Sequence, residues 1–345
     1  MTTPPAAAAP LLAHLEEPPL PEHIQRALEG HDPIMRERLK NIYWGMQRRE
    51  AAEKAAAAAN PSPTLPKDPD EKPKAQVIQF PQWSDERRAA MHAAFRSALF
   101  PALNFKEGRP FLKEKRLASV EGVAVIFTGE QFDQSDLDVF LELLNIAKET
   151  LLGVECSFSA HSLLKTLGRA TGNANHKWLH SVLIRLRSGT VDMTDHKIRY
   201  FGGLIEGGFK DEITKHYTIS INPKWARFFK AGLWASLDND QRRALGRNQT
   251  AKALHAYYST HAAPGPHSYR KLAELVGLNN TTNPRKLKAD IIKAHDELKR
   301  VGFLSDYESG ANTIKTTINH TPSQAHHLIG KVAKPRRPRS PKSTV

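Results

Sequence analysis

The stretch whose reading decides the fold is "LNNTTNPRKLKADIIKAHDELKRVGFL", residues 278–304. Asn283 is a good N-cap, and Pro284 sits at the first helical position, where a missing backbone N–H costs nothing. A helix therefore starts at Pro284 and runs to about Gly302. Leu287, Ile291, Ala294, Leu298 and Val301 recur at helical spacing and form its inward stripe. Arg285, Lys286, Lys288, Ala289, Ile292 and Lys293 fall mainly on the other side. The basic groups crowd the first two turns, where the helix dipole opposes them and where stability alone would favour Asp or Glu. A recognition helix, in contrast, presents that end to the major groove. Asn279, Asn280, Thr281 and Thr282 precede the helix and supply uncharged donors and acceptors for phosphate oxygens or base edges. The bland alternative is a solvated charged face beside a polar loop.

The neighbours of this stretch extend the reading. Residues 238–261 have the pattern of a helix, "SYRKLAELVG" that of a shorter helix closed by Gly277, and "FLSDYES" and "NTIKTTIN" that of a hairpin. Helix, helix, turn, helix and hairpin is the order of a winged helix-turn-helix. The same order occurs upstream. "GVAVIFTG" reads as a strand, residues 135–152 as a helix with Ser135 as N-cap, and "ECSFSA" as a short strand. "HSLLKTLGRATGNANHKWLHSVLIRLRSG" reads as helix, turn and helix, with Gly168 ending the first. Three strand-like runs follow, "TVDMTD", "HKIRYFGG" and "EITKHYTISIN". In the helix over 176–188, Leu179, Val182, Leu183 and Leu186 point inward. Asn173, Asn175, His176, Lys177, His180, Ser181 and Arg185 are left for the outer face, and Arg169 in the turn is placed to hold a phosphate. Trp178 fits packing against the preceding helix better than stacking on a base, because duplex readers have little use for stacking.

The expected architecture is α+β, with tandem winged helix-turn-helix domains and disordered N- and C-terminal tails. Residues 1–75 are a Pro/Ala-rich tail too poor in apolar groups to offset chain entropy. Within it, 33–59 has the pattern of a helix that either docks a partner or forms only transiently. Residues 76–94 are a linker, 95–230 and 231–320 the two domains, and 321–345 a basic tail suited to sequence-independent phosphate attraction.

Composition narrows the partner. The 345 residues carry a net charge of +14, with a pI near 9.8, a balance that favours a polyanion. No apolar run approaches the ~20 residues of a membrane span, and no secretory signal opens the chain. Cys156 is the single cysteine, so no intramolecular disulfide forms, and a reducing cytoplasm fits. Its alternating surroundings make it a small buried strand residue. His161, His176, His180, His255, His261 and His267 lack cysteine partners and form no HExxH pair, so neither a metal nor another cofactor is expected. Tyr257 and Tyr258 lie inside a helix. No histidine-hydrophobe-histidine triplet accompanies them, which counts against a nicking enzyme, and no GxxxxGK[ST] loop is present. The sequence indicates a non-enzymatic DNA-binding protein.

Four blocks, "RSALFPALNFKEGRPFL", "VIFTGEQFDQSDLDVFLELLNIAK", "YYSTHAAPGPHSYRKLAELVG" and "RKLKADIIKAHDELKRVGFL", resemble the TrfA family of plasmid replication initiators in order and spacing. The likeness covers roughly residues 96–318. It implies two winged-helix domains that bind repeated origin sequences (iterons) in double-stranded DNA and open an adjacent A·T-rich region, with contact to its single strands. It also implies recruitment of the host initiator, the replicative helicase and the sliding clamp. Members of the family resemble clamp-binding proteins through a Gln-x-x-Leu-Phe-type peptide. Here that place reads "QVIQF": Gln76 and Phe80 fit, but Gln79 replaces the leucine. The other reading of this segment is a strand packed on the first domain with help from Trp83. The monomer–homodimer balance stays open. The rival functions are a winged-helix transcriptional regulator and, from another class, a rolling-circle nicking initiator.

Overall fold

The computed structural model describes residues 80–105, 108–149, 155–278 and 283–320, together with isolated positions between 20 and 48 and at 324 and 328. The chain divides into two compact units. In the unit formed by Met1–Thr64 and Pro322–Val345, the positions described between 33 and 48 are helical, and the Tyr43 and Trp44 rings meet edge to face at 5.0 Å. The tails expected to be disordered, and the end of the expected 33–59 helix, lie largely outside the described residues. No described helix is long and apolar enough to cross a membrane.

The other unit, Leu65–Thr321, mixes helices with antiparallel sheets. Strand β1 (Arg87–Met91) leads into the short helix α1 (His92–Phe95). Strands β2 (Phe111–Leu117) and β3 (Val123–Glu130) precede helix α2 (Gln134–Ala147). Strand β4 (Glu155–Ser159) then feeds α3 (Ala160–Thr166), a turn, and α4 (Asn173–Ser188). Four strands follow: β5 (Thr190–Asp195), β6 (Ile198–Gly202), β7 (Gly207–Lys210) and β8 (His216–Ser220). Helix α5 (Ala226–Lys230) and strand β9 (Trp234–Asp238) lead into α6 (Asn239–Ala244) and α7 (Gln249–Ser259). Strand β10 (His267–Ser268), α8 (Tyr269–Leu275), α9 (Pro284–Arg300), β11 (Leu304–Ser309) and β12 (Thr313–Ile318) complete the order. The sheets run β2-β3-β5-β6, β4-β8-β7, β10-β12-β11 and β1-β9.

Two hydrophobic clusters fill these layers. One gathers the inward faces of α2, α3 and α4 with β3, β5 and β8, around Phe127, Phe132, Phe140 and Trp225. The other gathers α7, α8 and α9 with the last hairpin, around Tyr258, Leu272, Ile291 and Leu298. Cys156 is buried in the first, on β4.

Several local expectations shift. The cap of α2 is Asp133, not Ser135. Its carboxylate accepts the backbone N–H groups of Ser135 and Asp136, and Asp136 answers with a bond from the Asp133 N–H, a reciprocal capping box. The helix ends at Ala147, and residues 150–154 are not described. The single helix expected over 238–261 is two. Gly246 adopts φ +55° in the intervening turn, and Asn248 caps α7 by accepting the Ala251 N–H at 3.0 Å. The expected linker over 76–94 contains β1, which pairs along its whole length with β9 and buries Ala89, Ala90 and Met91.

Charged groups join early and late parts of this unit. Asp138 of α2 accepts Arg242 Nε at 2.6 Å and Lys252 Nζ at 2.7 Å. Arg96 donates to the Thr260 hydroxyl at 2.9 Å and to its carbonyl at 2.7 Å. Gly277, with φ +71°, lies so close to Pro101 that a Cβ would collide with that ring, and the adjacent Val276 carbonyl accepts the Ala102 N–H at 2.7 Å.

Candidate DNA interface

Helix α9 begins where Asn283 and Pro284 place it. The Asn283 side chain accepts the Arg285 N–H at 2.9 Å, and no acidic residue occupies the first turn. Leu287, Ile291, Ala294 and Leu298 are buried against α7 and α8. Arg285, Lys286, Ala289 and Lys293 are exposed on the opposite side. The side chains of Arg285, Lys286 and Lys293 form no hydrogen bond or ion pair among the described residues. Lys288 differs. Its Nζ donates to the Gly310 carbonyl at 2.9 Å and lies 5.2 Å from the centre of the Tyr269 ring. It therefore fastens the tip of the β11–β12 hairpin to the helix, a role for which the sequence offered no signal. Asn279, Asn280, Thr281 and Thr282 lie outside the described residues.

Helix α4 offers a second outward face. Asn173, Lys177, His180 and Ser181 are exposed, and His176 is half-buried. Asn175 uses its amide to donate to the Ala170 carbonyl at 2.7 Å, which closes the turn before the helix. Ser181 donates to the Trp178 carbonyl, and His180 lies 3.3 Å from the Tyr217 hydroxyl beside the turn of the β7–β8 hairpin. Trp178 is half-buried against the first cluster, and the Arg169 guanidinium lies 3.6 Å from the centre of its ring. Arg169 is thus held flat on an indole face, with its N–H edge still available.

Arg185 departs from expectation. Instead of facing outward it is 7% exposed and donates from Nη2 to Asp136 Oδ1 at 2.9 Å. Asp136 is fully buried, and its other oxygen accepts Arg109 at 2.9 Å, while Arg109 also reaches Asp133. This network joins α2, α4 and the segment before β2, so Arg185 is a structural residue. Phe80 departs likewise. It is 2% exposed, with its ring 4.6 Å from Phe229 and 6.1 Å from Trp83. That agrees with the packed-segment reading of this stretch. Gln76 lies outside the described residues.

Two of the histidines, His267 and His295, are spent on packing against α7. His255 is fully buried edge-on to Phe303, with both ring nitrogens unpartnered among the described residues. Tyr257 and Tyr258 are buried, with hydroxyls at His267 and His295 respectively. Burial pushes the Tyr257 hydroxyl up to about 12, the opposite of an activated nucleophile. No group of three or more His, Cys, Asp or Glu side chains among the described residues is arranged to hold a metal.

Comparison with known proteins adds a family. The family model described as TrfA protein matches residues 67–309. No curated protein sequence matches the chain. Among solved structures, a selenomethionine-derivative crystal structure of domains 2 and 3 of RctB aligns with a TM-score of 0.44 and 10% identity, covering 67% of this chain and 99% of that one. A crystal structure of the Pi initiator protein in complex with iteron DNA aligns with a TM-score of 0.40 and 11% identity, covering 55% and 95%.

Proposed function

The chain belongs to the TrfA family of plasmid replication initiators, and on that premise we propose that it binds repeated origin sequences through two winged helix-turn-helix units. In this reading α3 and α4, followed by strands, form the reader of residues 95–230. Helices α7, α8 and α9 with the β10-β12-β11 sheet form the reader of 231–320. The observation that carries the reading is the outward face of α9, where Arg285, Lys286 and Lys293 crowd one exposed side with no partner among the described residues. Cations at the positive end of a helix cost stability unless an anion meets them there, and a duplex backbone supplies it.

The roles divide by chemistry. Arg285, at the start of α9, has the planar fork that matches guanine O6 and N7. Lys286 and Lys293 are point charges suited to phosphates. On α4, Asn173, Lys177 and His180 are the corresponding exposed groups, while Asn175 shapes the start of the helix and the Ser181 hydroxyl is turned back to the Trp178 carbonyl. Origin opening, contact with single-stranded A·T-rich DNA, dimerisation, and recruitment of the host initiator, helicase and sliding clamp belong to the same proposal and are supported by family membership. The mechanism is binding without covalent chemistry.

The experiment is a salt titration of binding to an origin repeat and to random duplex. Replacing Lys286 and Lys293 by alanine weakens both complexes and lowers the slope of log affinity against log salt by roughly one to two. Replacing Arg285 costs about 1–3 kcal/mol on the repeat and relaxes preference at one base pair. An unchanged salt slope, or an equal Arg285 effect on both duplexes, counts against this use of α9.

A further inference from the structure

A cleft of about 620 Å³ lies between the α3–α4 turn and the α6–α7 turn, lined by six basic side chains and two carboxylates. Half of the cations are committed within the fold. Arg88 pairs with Glu142 at 2.7 Å, and Arg242 and Lys252 share Asp138 at 2.6 and 2.7 Å. The other three, Arg169, Arg243 and Arg247, have no hydrogen bond or ion pair among the described residues. Arg169 stands on the Trp178 ring. Arg243 lies beside Gly168, its Nη2 3.9 Å from where a Cβ would be. Arg169 is half-buried: burial disfavours its charge, the carboxylates around it restore part of the loss, and Arg247 opposes it again.

Three guanidiniums gathered around one cleft repel each other unless an anion sits among them. Guanidinium forks match phosphate oxyanions, and the non-bridging oxygens of a phosphodiester each accept more than one N–H, so several forks can share one phosphate. The cleft also has a position that suggests the source of that phosphate. Asn175 and Ala170 line it at the leading end of α4, while Arg243, Gly246 and Arg247 line it from the segment leading into α7. A duplex held by the outer face of α4 brings its sugar-phosphate backbone past this opening.

We propose that the cleft is a phosphate clamp in which Arg169, Arg243 and Arg247 grip one backbone phosphodiester of the duplex that α4 engages. The inference rests on the DNA-binding reading above and adds to it a site on neither outer helix face. By holding a phosphate with side chains from both halves, the clamp fixes the register of the two readers on one duplex.

The test is a scan of the repeat duplex in which single phosphates are neutralised as methylphosphonates, read with the full-length chain and two variants. Arg243 and Arg247 are exposed and unbonded, so the R243Q/R247Q double variant keeps the fold, and R243K/R247K keeps the charge without the forks. For the native chain, neutralising one phosphate per repeat weakens binding about tenfold, as expected for a charge-assisted contact. In R243Q/R247Q the same neutralisation has no further effect, because the contact is already gone. In R243K/R247K an intermediate loss remains. The same profile in the native chain and in R243Q/R247Q overturns the proposal. Stabilisation of the native chain, but not of R243Q/R247Q, by inorganic phosphate or ATP, together with unchanged scan profiles, would assign the cleft to a free phosphate ligand and overturn the DNA source. Failure of the native chain to prefer the repeat over random duplex is a different result, one that removes the DNA-binding reading itself.

Discussion

Replacing Asp136 by alanine lowers the stability of the chain by about 3–5 kcal/mol, the range for removing one partner from a buried ionic cluster. Asp136 is fully buried and accepts from Arg185 at 2.9 Å, from Arg109 at 2.9 Å and from the Asp133 N–H at 3.0 Å. Its loss leaves the buried Arg185 guanidinium only a 3.4 Å contact with Glu130, leaves Arg109 only Asp133 and the Gln131 carbonyl as hydrogen-bond acceptors, and removes half of the capping box of α2. The exposed pair of Arg199 and Asp192, at 2.6 Å, offers the contrast. Breaking it costs within about 1 kcal/mol, because water screens both groups. The two urea midpoints, measured with unchanged m-values, check the pair of expectations. Similar losses for the two variants would mean that burial does not set the cost.

Acid is the second large effect. His255 and His295 are both fully buried. Burial drives the His255 pKa well below its ordinary value, and nearby Arg242, Arg87 and Lys252 drive it further. Burial brings His295 down to about 4, even though its bond to the Ile291 carbonyl and the nearby Asp296 favour the charged form and only His267 acts with burial. The neutral ring fits its partners, with Nδ1 donating to the Ile291 carbonyl at 2.8 Å and Nε2 accepting from the Tyr258 hydroxyl at 3.0 Å. In the unfolded chain each imidazole takes up a proton near pH 6.5, while in the folded chain neither does so until much lower pH. The unfolded state therefore binds more protons, and stability falls as pH drops below about 6.5. Each histidine contributes about 1.4 kcal/mol per pH unit, so the two together remove about 4 kcal/mol by pH 5. Carboxylates such as Asp192 and Asp306, held low by hydrogen bonds from Arg199 and Lys299, lose their contributions only below about pH 4, outside this window. Replacing His255 by leucine removes part of the acid sensitivity, the rest staying with His295 and with His92 and His261, which burial brings down to about 3 and about 4. The replacement is tolerated, because neither ring nitrogen has a partner to lose among the described residues. A stability profile between pH 7.5 and 5 that is unaltered in that variant would contradict the account.

The parts of this structure that were legible in the sequence are those fixed by short-range chemistry. Asn283 followed by Pro284 specifies a helix start, and Gly168 and Gly277 adopt φ of +68° and +71° where helices end. The alternating strands and inward leucines follow from periodicity. Asp133 and Ser135 are two good capping residues two positions apart, and only the geometry of the loop before α2 chooses between them. The break between α6 and α7 is a short polar turn inside a longer helical pattern, which periodicity does not resolve. Arg185 lies on a helix whose other polar groups face outward, yet its partners Asp136 and Glu130 are 49 and 55 residues away in sequence. Lys288 is likewise claimed by a carbonyl 22 residues on. The basic cleft is assembled from four separate segments, so no local pattern announces it. What the sequence lacks in each case is the tertiary partner.

The central claim is that this chain recognises repeated origin DNA. Footprinting on the replicon that carries its gene tests that most directly. The account predicts protection of several direct repeats spaced at about two helical turns, each turn being about 10.5 base pairs, with protection weakened when Lys286 and Lys293 are neutralised. Protection of a single palindrome, as a repressor would give, or no protection beyond that seen on random duplex, would contradict it.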